Sequence, residues 1–330
     1  MTIRTYEMCD IDMRDAYCAS LMELAGNNEK VVALDADLMV AMGMKPFKQA
    51  FPDRFIDTGV MEANMFGVAA GMSAVGAIPF AHTFAVFASR RALDQIFLSG
   101  AYAKLNVKVI GSDPGILAEM NGGTHMAFED MGIMNAIPEM TVIEPTDISM
   151  LKALIPQMAN KYGMFYMRLV RRGCVKIYDD NETFEIGKAK ILRTGFENIN
   201  SNSKPDVAII ASGYCVAEAC KAAEMLSDEG FHSRVIDMFT WSPVDIEQIV
   251  ESAEVCGCLV TAENHRISNG LGTIVSSVLA QKKPVPVEMI GVGIDEFGEV
   301  GEVGYLSERY GLNANHIADA ARKVIARKSP

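Results

Sequence analysis

Three short segments of the chain carry residue types that could do chemistry. In Asp57-Thr58-Gly59-Val60-Met61-Glu62 a strand-like run gives way to a turn, and a carboxylate then stands at the head of an apolar helical pattern. That carboxylate could partner the helix dipole or handle a proton, and the segment alone leaves both readings open. In His82-Thr83-Phe84-Ala85-Val86-Phe87, which runs on through Arg90, the two phenylalanines are three apart. This spacing predicts one helix face at the end of a strand, where a flat heteroaromatic ring could stack or a core could simply pack. The third segment, Gly111 to Asp130, contains Asn121-Gly122-Gly123-Thr124-His125 and delivers a histidine on a Gly-rich loop after a strand. A loop histidine suits ligand binding or proton transfer, and equally an incidental surface position.

These residues gain meaning from the elements that would hold them. Ligands of open parallel sheets gather at the carboxyl ends of strands, and all three segments follow strand-like runs. Strands are predicted at 31–34, 55–57, 78–80, 107–110, 141–143 and 165–167, with helices near 11–26, 61–75, 86–103, 127–136 and 147–162. The alternation restarts with strands at 207–210, 233–236, 258–261 and 287–290 and helices near 214–228, 245–253, 270–281 and 315–327. Such alternation predicts two doubly wound α/β domains with mainly parallel sheets. The Asn/Ser/Pro-rich stretch 198–205 reads as the hinge, and the domains are placed at 1–190 and 191–330.

Composition agrees with two ordinary globular domains: 330 residues, half of them apolar and 22% charged. A formal charge of −12 with no basic run argues against a nucleic-acid or anionic-membrane surface, so any bound anion must be held locally. Seven cysteines, odd in number and without a Cys-x-x-Cys pair, fit reduced thiols in a cytoplasm. No apolar leader or long apolar span is visible, which predicts a cytoplasmic chain. The 22 methionines read as flexible core filler. His82, His125, His232, His265 and His316 lack zinc-type pairings, so no metal site is expected within the chain.

Taken in order, the motifs resemble the C-terminal half of transketolase, the thiamine-diphosphate enzyme. The matching stretches are Asp57-Thr58-Gly59 with Glu62-Ala63-Asn64-Met65, Pro79-Phe80 through Asp94-Gln95, Leu105-Asn106-Val107-Lys108, Gly122-Gly123-Thr124-His125 and Glu129-Asp130. Val260-Thr261-Ala262-Glu263-Asn264-His265, Asn269-Gly270-Leu271-Gly272 and Phe297-Gly298-Glu299 extend the likeness to nearly the whole chain. The resemblance implies a pyrimidine-binding domain followed by a transketolase C-terminal domain. It assigns Glu62 to N1′ of the cofactor's aminopyrimidine, where a sequestered carboxyl would share a proton and favour the imino tautomer. Phe84 and Phe87 would pack on the pyrimidine and Leu38 would prop the bent cofactor, with Asp37 and Val60 beside it. His125 would contact the reacting oxygens of the sugar. Arg14 and Arg171 would grip a terminal anion, for which guanidinium forks are suited, although a surface ion pair explains an isolated arginine equally well. Asn121, Ser112, His82 and Arg90 complete the expected substrate contacts, while Glu263 and His265 are expected to serve structure or subunit contact.

Departures from the family pattern matter as much. No Gly-Asp-Gly segment for Mg²⁺ and the diphosphate occurs, and the chain is half the length of a fused transketolase. The resemblance therefore implies one subunit of a split enzyme. An N-terminal partner chain would hold the metal and the diphosphate, and an α2β2 heterotetramer would be the working form. Asn121 stands where an aspartate is usual, and Ala41 and Ser112 stand where a serine and a histidine are usual. The expected reaction is two-carbon ketol transfer from a ketose to an aldose, the ketose carrying a phosphate, a sulfonate or another variant end. The β subunit of a 2-oxo-acid dehydrogenase and a deoxyxylulose-phosphate synthase-like enzyme share the domain order, and a non-catalytic scaffold is the alternative of another class.

Overall fold

The computed structural model describes residues 6–197 and 204–328. In chain order the first part contains α1 (Met13–Asn27), β1 (Val31–Asp35), α2 (Lys45–Ala50), β2 (Phe55–Asp57), α3 (Glu62–Ala74), β3 (Ile78–Phe84), α4 (Leu93–Gln95), β4 (Lys108–Ser112), α5 (Asp130–Asn135), β5 (Thr141–Ile143), α6 (Ile148–Asn160) and β6 (Phe165–Leu169). The second part contains β7 (Lys190–Arg193), β8 (Val207–Ala211), α7 (Tyr214–Asp228), β9 (Ser233–Asp237), β10 (Thr240–Ser242), α8 (Ile246–Cys256), β11 (Leu259–Arg266), α9 (Leu271–Lys282), β12 (Val287–Val292), α10 (Val303–Arg309) and α11 (Ala314–Ile325).

Two mostly parallel sheets result, as the alternation predicted. The larger has the order β10-β5-β6-β4-β3-β1-β2 and the smaller β12-β11-β8-β9-β7. Parallel strands covered on both faces must be apolar on both, which is why Val31-Val32-Ala33-Leu34 is an unbroken apolar run. Val31 and Ala33 pack with Tyr17 and Leu21 of α1 and Leu151 and Leu154 of α6. Val32 and Leu34 face the other way, into the layer holding Phe66 and Ala69 of α3. That second layer continues without a break to Ile210, Ile236, Leu271 and Val275, so the two units share apolar contact.

Several expectations are corrected. Strand β10 comes from the second half but pairs antiparallel with β5, completing the first sheet across the expected boundary. Strand β7 was not foreseen; it pairs antiparallel with β9 and contains the expected 190/191 division. Residues 198–203 of the expected hinge lie outside the described residues. Strand β3 runs on to Phe84 rather than ending at 80, because its register with β4 extends to the pair Phe84 and Ser112. The helix expected at 86–103 is broken into wide π-type turns at Phe87–Arg91 and Ile96–Tyr102 around the short α4. Phe84 thus closes a strand while Phe87 opens a turn, and they do not share a helix face.

Arg168, on β6, is the polar junction of the two units. Its side chain is fully buried and donates to both Asp130 oxygens at 2.9 and 2.7 Å, to Glu144 at 3.0 Å, and to the carbonyls of Ala127 and Asn264 at 3.1 and 2.9 Å. Burial opposes its charge, but Asp130 and Glu144 outweigh that and hold the guanidinium above its ordinary range. Glu144 in turn accepts from Ser212 at 2.5 Å, and Tyr166 donates to Asp130 at 2.6 Å.

The segment Glu263-Asn264-His265 on β11 completes the junction. Glu263 accepts the free N–H groups of Leu271 and Gly272 at 2.6 and 2.8 Å, capping α9. Gly270 is required beside it, since an added Cβ would lie 2.0 Å from a Glu263 oxygen. Asn264 bonds Ile116 N–H and Pro114 carbonyl at 3.0 and 3.1 Å, and Nε2 of His265 accepts from Gly132 N–H at 3.2 Å. Burial, reinforced by Arg168, lowers the His265 pKa to about 4, so the imidazole is a neutral acceptor.

Two outcomes follow for stability. Replacing Arg168 by Met leaves Asp130 and Glu144 buried without a counter-charge and should cost about 3–5 kcal/mol, read as a lowered midpoint of urea unfolding. Because the folded pKa of His265 lies below its unfolded value near 6.5, its contribution is complete above that value and is lost as the pH falls toward about 4. His265→Gln keeps an acceptor that does not titrate, and the decline of the unfolding midpoint between those two pH values should become shallower.

Candidate functional site

The adjacent parallel strands β2, β1, β3 and β4 bring their carboxyl ends side by side, and short bonds tie the loops that follow them. The Asp35 carbonyl at the end of β1 accepts from the Thr58 N–H and hydroxyl at 2.9 and 3.1 Å, and its Oδ1 accepts from Leu38 N–H at 2.5 Å. Asp57 Oδ1 accepts from both Asp37 N–H and Gly59 N–H, at 3.0 and 2.9 Å, pinning the two loops together. Asp37 takes the left-handed conformation at φ 62° and is exposed, whereas Leu38 packs against Phe84.

Glu62 begins α3, yet its side chain is only 1% exposed. Its oxygens both accept from Arg91 Nη1 at 2.8 Å rather than from the helix's own free N–H groups. A capping role therefore does not account for it. Arg91 is nearly half exposed and lies 4.1 Å over the Phe87 ring, so the carboxylate sits at the edge of an aromatic surface. Val60, by contrast, is 65% exposed in the turn before the helix.

Phe84 and Phe87 lie with ring centroids 6.0 Å apart and 31° between planes. His125 stands edge-on to both, at 6.2 and 5.3 Å. Its Nδ1 is 2.9 Å from the Thr124 hydroxyl, while no described residue engages Nε2. The histidine is presented by a loop that only glycine permits: a Cβ on Gly123 would fall 2.4 Å from the Gly298 carbonyl of the second unit. The loop is thereby pressed against the neighbouring domain.

At the far side of Phe84 lie the two arginines. Arg171 is 5.6 Å from the Phe84 centroid, and its Nε is 2.8 Å from Oδ1 of the buried Asp113. Arg14 donates to the Ala41 carbonyl at 3.1 Å, and its backbone N–H bonds the Arg171 carbonyl at 3.3 Å. Ala41 packs against the Phe84 cluster, so both arginine-bearing segments adjoin that cluster. Ser112 is buried and donates to Asp113 Oδ2 at 2.9 Å. Burial raises the Asp113 pKa, with Arg171 and Ser112 acting against it.

Other expected contacts are placed differently. His82 lies inside β3, fully buried between the Tyr17 and Phe55 rings with Nε2 3.0 Å from Asp35. Strand β3 extends past the point where the sequence suggested a loop, and that carries the ring inward. Arg90 is taken up by Glu129 and by the Met126 carbonyl at 3.1 Å, bracing the loop behind His125. Asn121 is exposed at the end of a 3-10 turn spanning Gly115–Asn121. Asp35, Arg91 and Asp113 were missed; each gains its place from a partner in another segment, which no local spacing reveals. Among the described residues no cluster of His, Cys, Asp and Glu is arranged to hold a metal ion.

Comparison with known proteins gives this geometry a family. The model for the transketolase pyrimidine-binding domain matches residues 10–174 and that for the transketolase C-terminal domain matches 198–317. The 6-deoxy-6-sulfo-D-fructose transketolase subunit SqwH of Clostridium sp. (strain MSTE9) is 49% identical over 96% of this chain and 95% of its own. Human transketolase is 32% identical over 99% of this chain, which spans 51% of that longer protein. A solved structure described as a split gene transketolase, inactive beta4 tetramer, superposes with a TM-score of 0.88 at 41% identity, covering 97% of this chain and all of that one. The chain belongs to the transketolase family and carries its pyrimidine-binding and C-terminal domains.

Proposed function

We propose that this chain is the catalytic-cleft subunit of a two-chain, thiamine-diphosphate-dependent transketolase, with Glu62 as its central proton-handling group. The observation that carries the reading is a carboxylate 1% exposed beside an aromatic pair and paired, among the described residues, with a half-exposed arginine. Folding alone gains little from such an arrangement, since a buried charge costs more than an apolar residue of similar volume. A flat heteroaromatic with one basic ring nitrogen suits it.

The residues present fit the aminopyrimidine end of the cofactor: Phe84 and Phe87 offer ring faces, Leu38 an apolar prop, and Glu62 an acceptor for a ring N–H. Asp37 and Val60 flank them. Thiamine diphosphate, when bound, supplies a nucleophilic thiazolium carbon and an electron sink for the two-carbon unit. Glu62 holds the proton that sets the pyrimidine tautomer, and Arg91 must yield at least one carboxylate oxygen for this. His125 offers Nε2 to the oxygens of the reacting sugar carbons. Arg171 and Arg14 bind the charged end of the donor, with Ser112 and Asn121 as neighbouring polar groups. Arg90 and His82 position the His125 loop and the β1 turn rather than touch substrate.

The diphosphate and Mg²⁺ would fall to an N-terminal partner chain, since the sequence has no Gly-Asp-Gly segment of the kind through which the family holds them. An α2β2 heterotetramer is the form that would complete each cleft. The structural neighbour described as an inactive beta4 tetramer supports a chain that is inert without its partner. The 49% identical relative named for 6-deoxy-6-sulfo-D-fructose supports a sulfonated ketose as donor. The second domain then begins with β7, near residues 190/191, and lends β10 to the first sheet. Seven free cysteines among the described residues fit a cytoplasmic location, and no described helix is long and apolar enough to cross a membrane. No observation favours a 2-oxo-acid dehydrogenase, a deoxyxylulose-phosphate synthase or a scaffold.

Two measurements test the reading. Glu62→Gln should lower the turnover of the assembled enzyme by about 10²–10⁴-fold, the range of general acid–base contributions, while gel filtration shows the same assembly. Near-wild-type turnover by that variant would remove the glutamate from the mechanism. Titrating this chain with a partner carrying the Gly-Asp-Gly segment should bring ketol transfer from nothing to a plateau at equal stoichiometry. Activity of this chain by itself would refute the split-site assignment.

A further inference from the structure

Asp113 is a buried charge that the proposed reaction does not use. It is 1% exposed and adopts the left-handed conformation at φ 55°, just past the end of β4. Its Oδ1 touches Arg171 Nε at 2.8 Å without an aligned hydrogen bond, so neither atom is satisfied by the contact. The contact is made through Nε, and no described residue accepts a hydrogen bond from the terminal N–H groups of Arg171. Arg14 is likewise matched, with Asp12 at 3.2 Å and Asp15 at 3.7 Å. Two guanidinium groups are thus faced by three carboxylates, so the pair carries no surplus of positive charge.

Sulfonate and phosphate ends are both tetrahedral with three outer oxygens, so hydrogen-bond geometry barely separates them. Charge does. A sulfonate carries one negative charge, whereas a phosphate ester carries about 1.5–2 at neutral pH. An anion held by Arg171 shares that guanidinium with the Asp113 carboxylate, so the additional fraction of a charge is compensated less and repelled more, and such like-charge juxtaposition is how sites reject a near-identical ligand.

We propose that Asp113, acting through Arg171, sets the charge selectivity of the donor subsite, so that it accepts a monoanionic sulfonate end and disfavours a dianionic phosphate end. The proposal rests on the reading of Arg14 and Arg171 as the anion-binding end, and it adds a residue that discriminates among donors. Asp113 is a positioning residue here, since it acts through Arg171.

The test uses the enzyme assembled with its partner chain and measures, by calorimetry, affinity for methanesulfonate and methyl phosphate. Wild type should prefer methanesulfonate. Asp113→Asn should move the affinity ratio toward methyl phosphate by about tenfold, equivalent to about 1.4 kcal/mol. Asp12→Asn, on a half-exposed carboxylate facing the other guanidinium, should move it the same way by about two- to threefold, and it decides the matter if the buried substitution does not fold. A ratio unchanged in the folded variants, a wild-type preference for methyl phosphate, or binding of neither probe would overturn the proposal. Ketol transfer by the same wild-type preparation is scored separately: its absence, with the ratio still shifting, removes the reaction assignment and leaves the charge selectivity standing.

Discussion

One buried guanidinium holds the molecule's working geometry. Arg168 binds Asp130 at the head of α5, Glu144 after β5, the Ala127 carbonyl behind His125 and the Asn264 carbonyl of the second unit. Each bond belongs to a different segment, so the His125 loop, the central sheet and the C-terminal domain are fixed relative to one another by one side chain. Replacing such a cluster with apolar residues could stabilise the fold as well or better, but an apolar contact is non-directional and would not fix the loop's orientation.

Around that junction the cleft is assembled from strand ends and close contacts. The β1 and β2 loops share Asp57, and the His125 loop is pressed onto Gly298 through Gly123. The second domain therefore acts on this region mechanically, since its backbone at Gly298 limits where the His125 loop can stand. Glu263, Asn264 and His265 act in the same sense, joining the α9 N-terminus and the Pro114–Ile116 turn to the junction.

Electrostatics at the cleft is local and compensated. A chain with net charge −12 offers no broad positive field, so any anion it binds must be held by donors at short range. The two arginines that border the cleft are each held by carboxylates, and Glu62 is held by Arg91. Compensation of this kind keeps buried charges tolerable while a ligand is absent, and it makes the valence of the ligand matter as well as its shape.

The fold class and most strands were legible from the sequence because strands buried on both faces leave continuous apolar runs and their helices keep a 3.6-residue period. Strands 55–57 and 141–143 and helix 214–228 fall where the periodicity placed them. Short polar elements were not legible: β7 and β10 are three or four residues long, and β10 joins the first sheet only because Thr240 and Ser242 reach Ile143 and Val142 of β5. Glu62, Phe84, Phe87, His125, Arg14 and Arg171 were nameable as candidates by residue type and motif order. Tertiary structure alone decided that Glu62 pairs with Arg91, twenty-nine residues away, that His82 is sealed inside a strand, and that Asp113 shadows Arg171. The physical reason is range. Backbone propensity and apolar periodicity act over a few neighbours and are written along the chain, whereas a charge's partner is whichever group the packed sheet brings within a few ångströms of it.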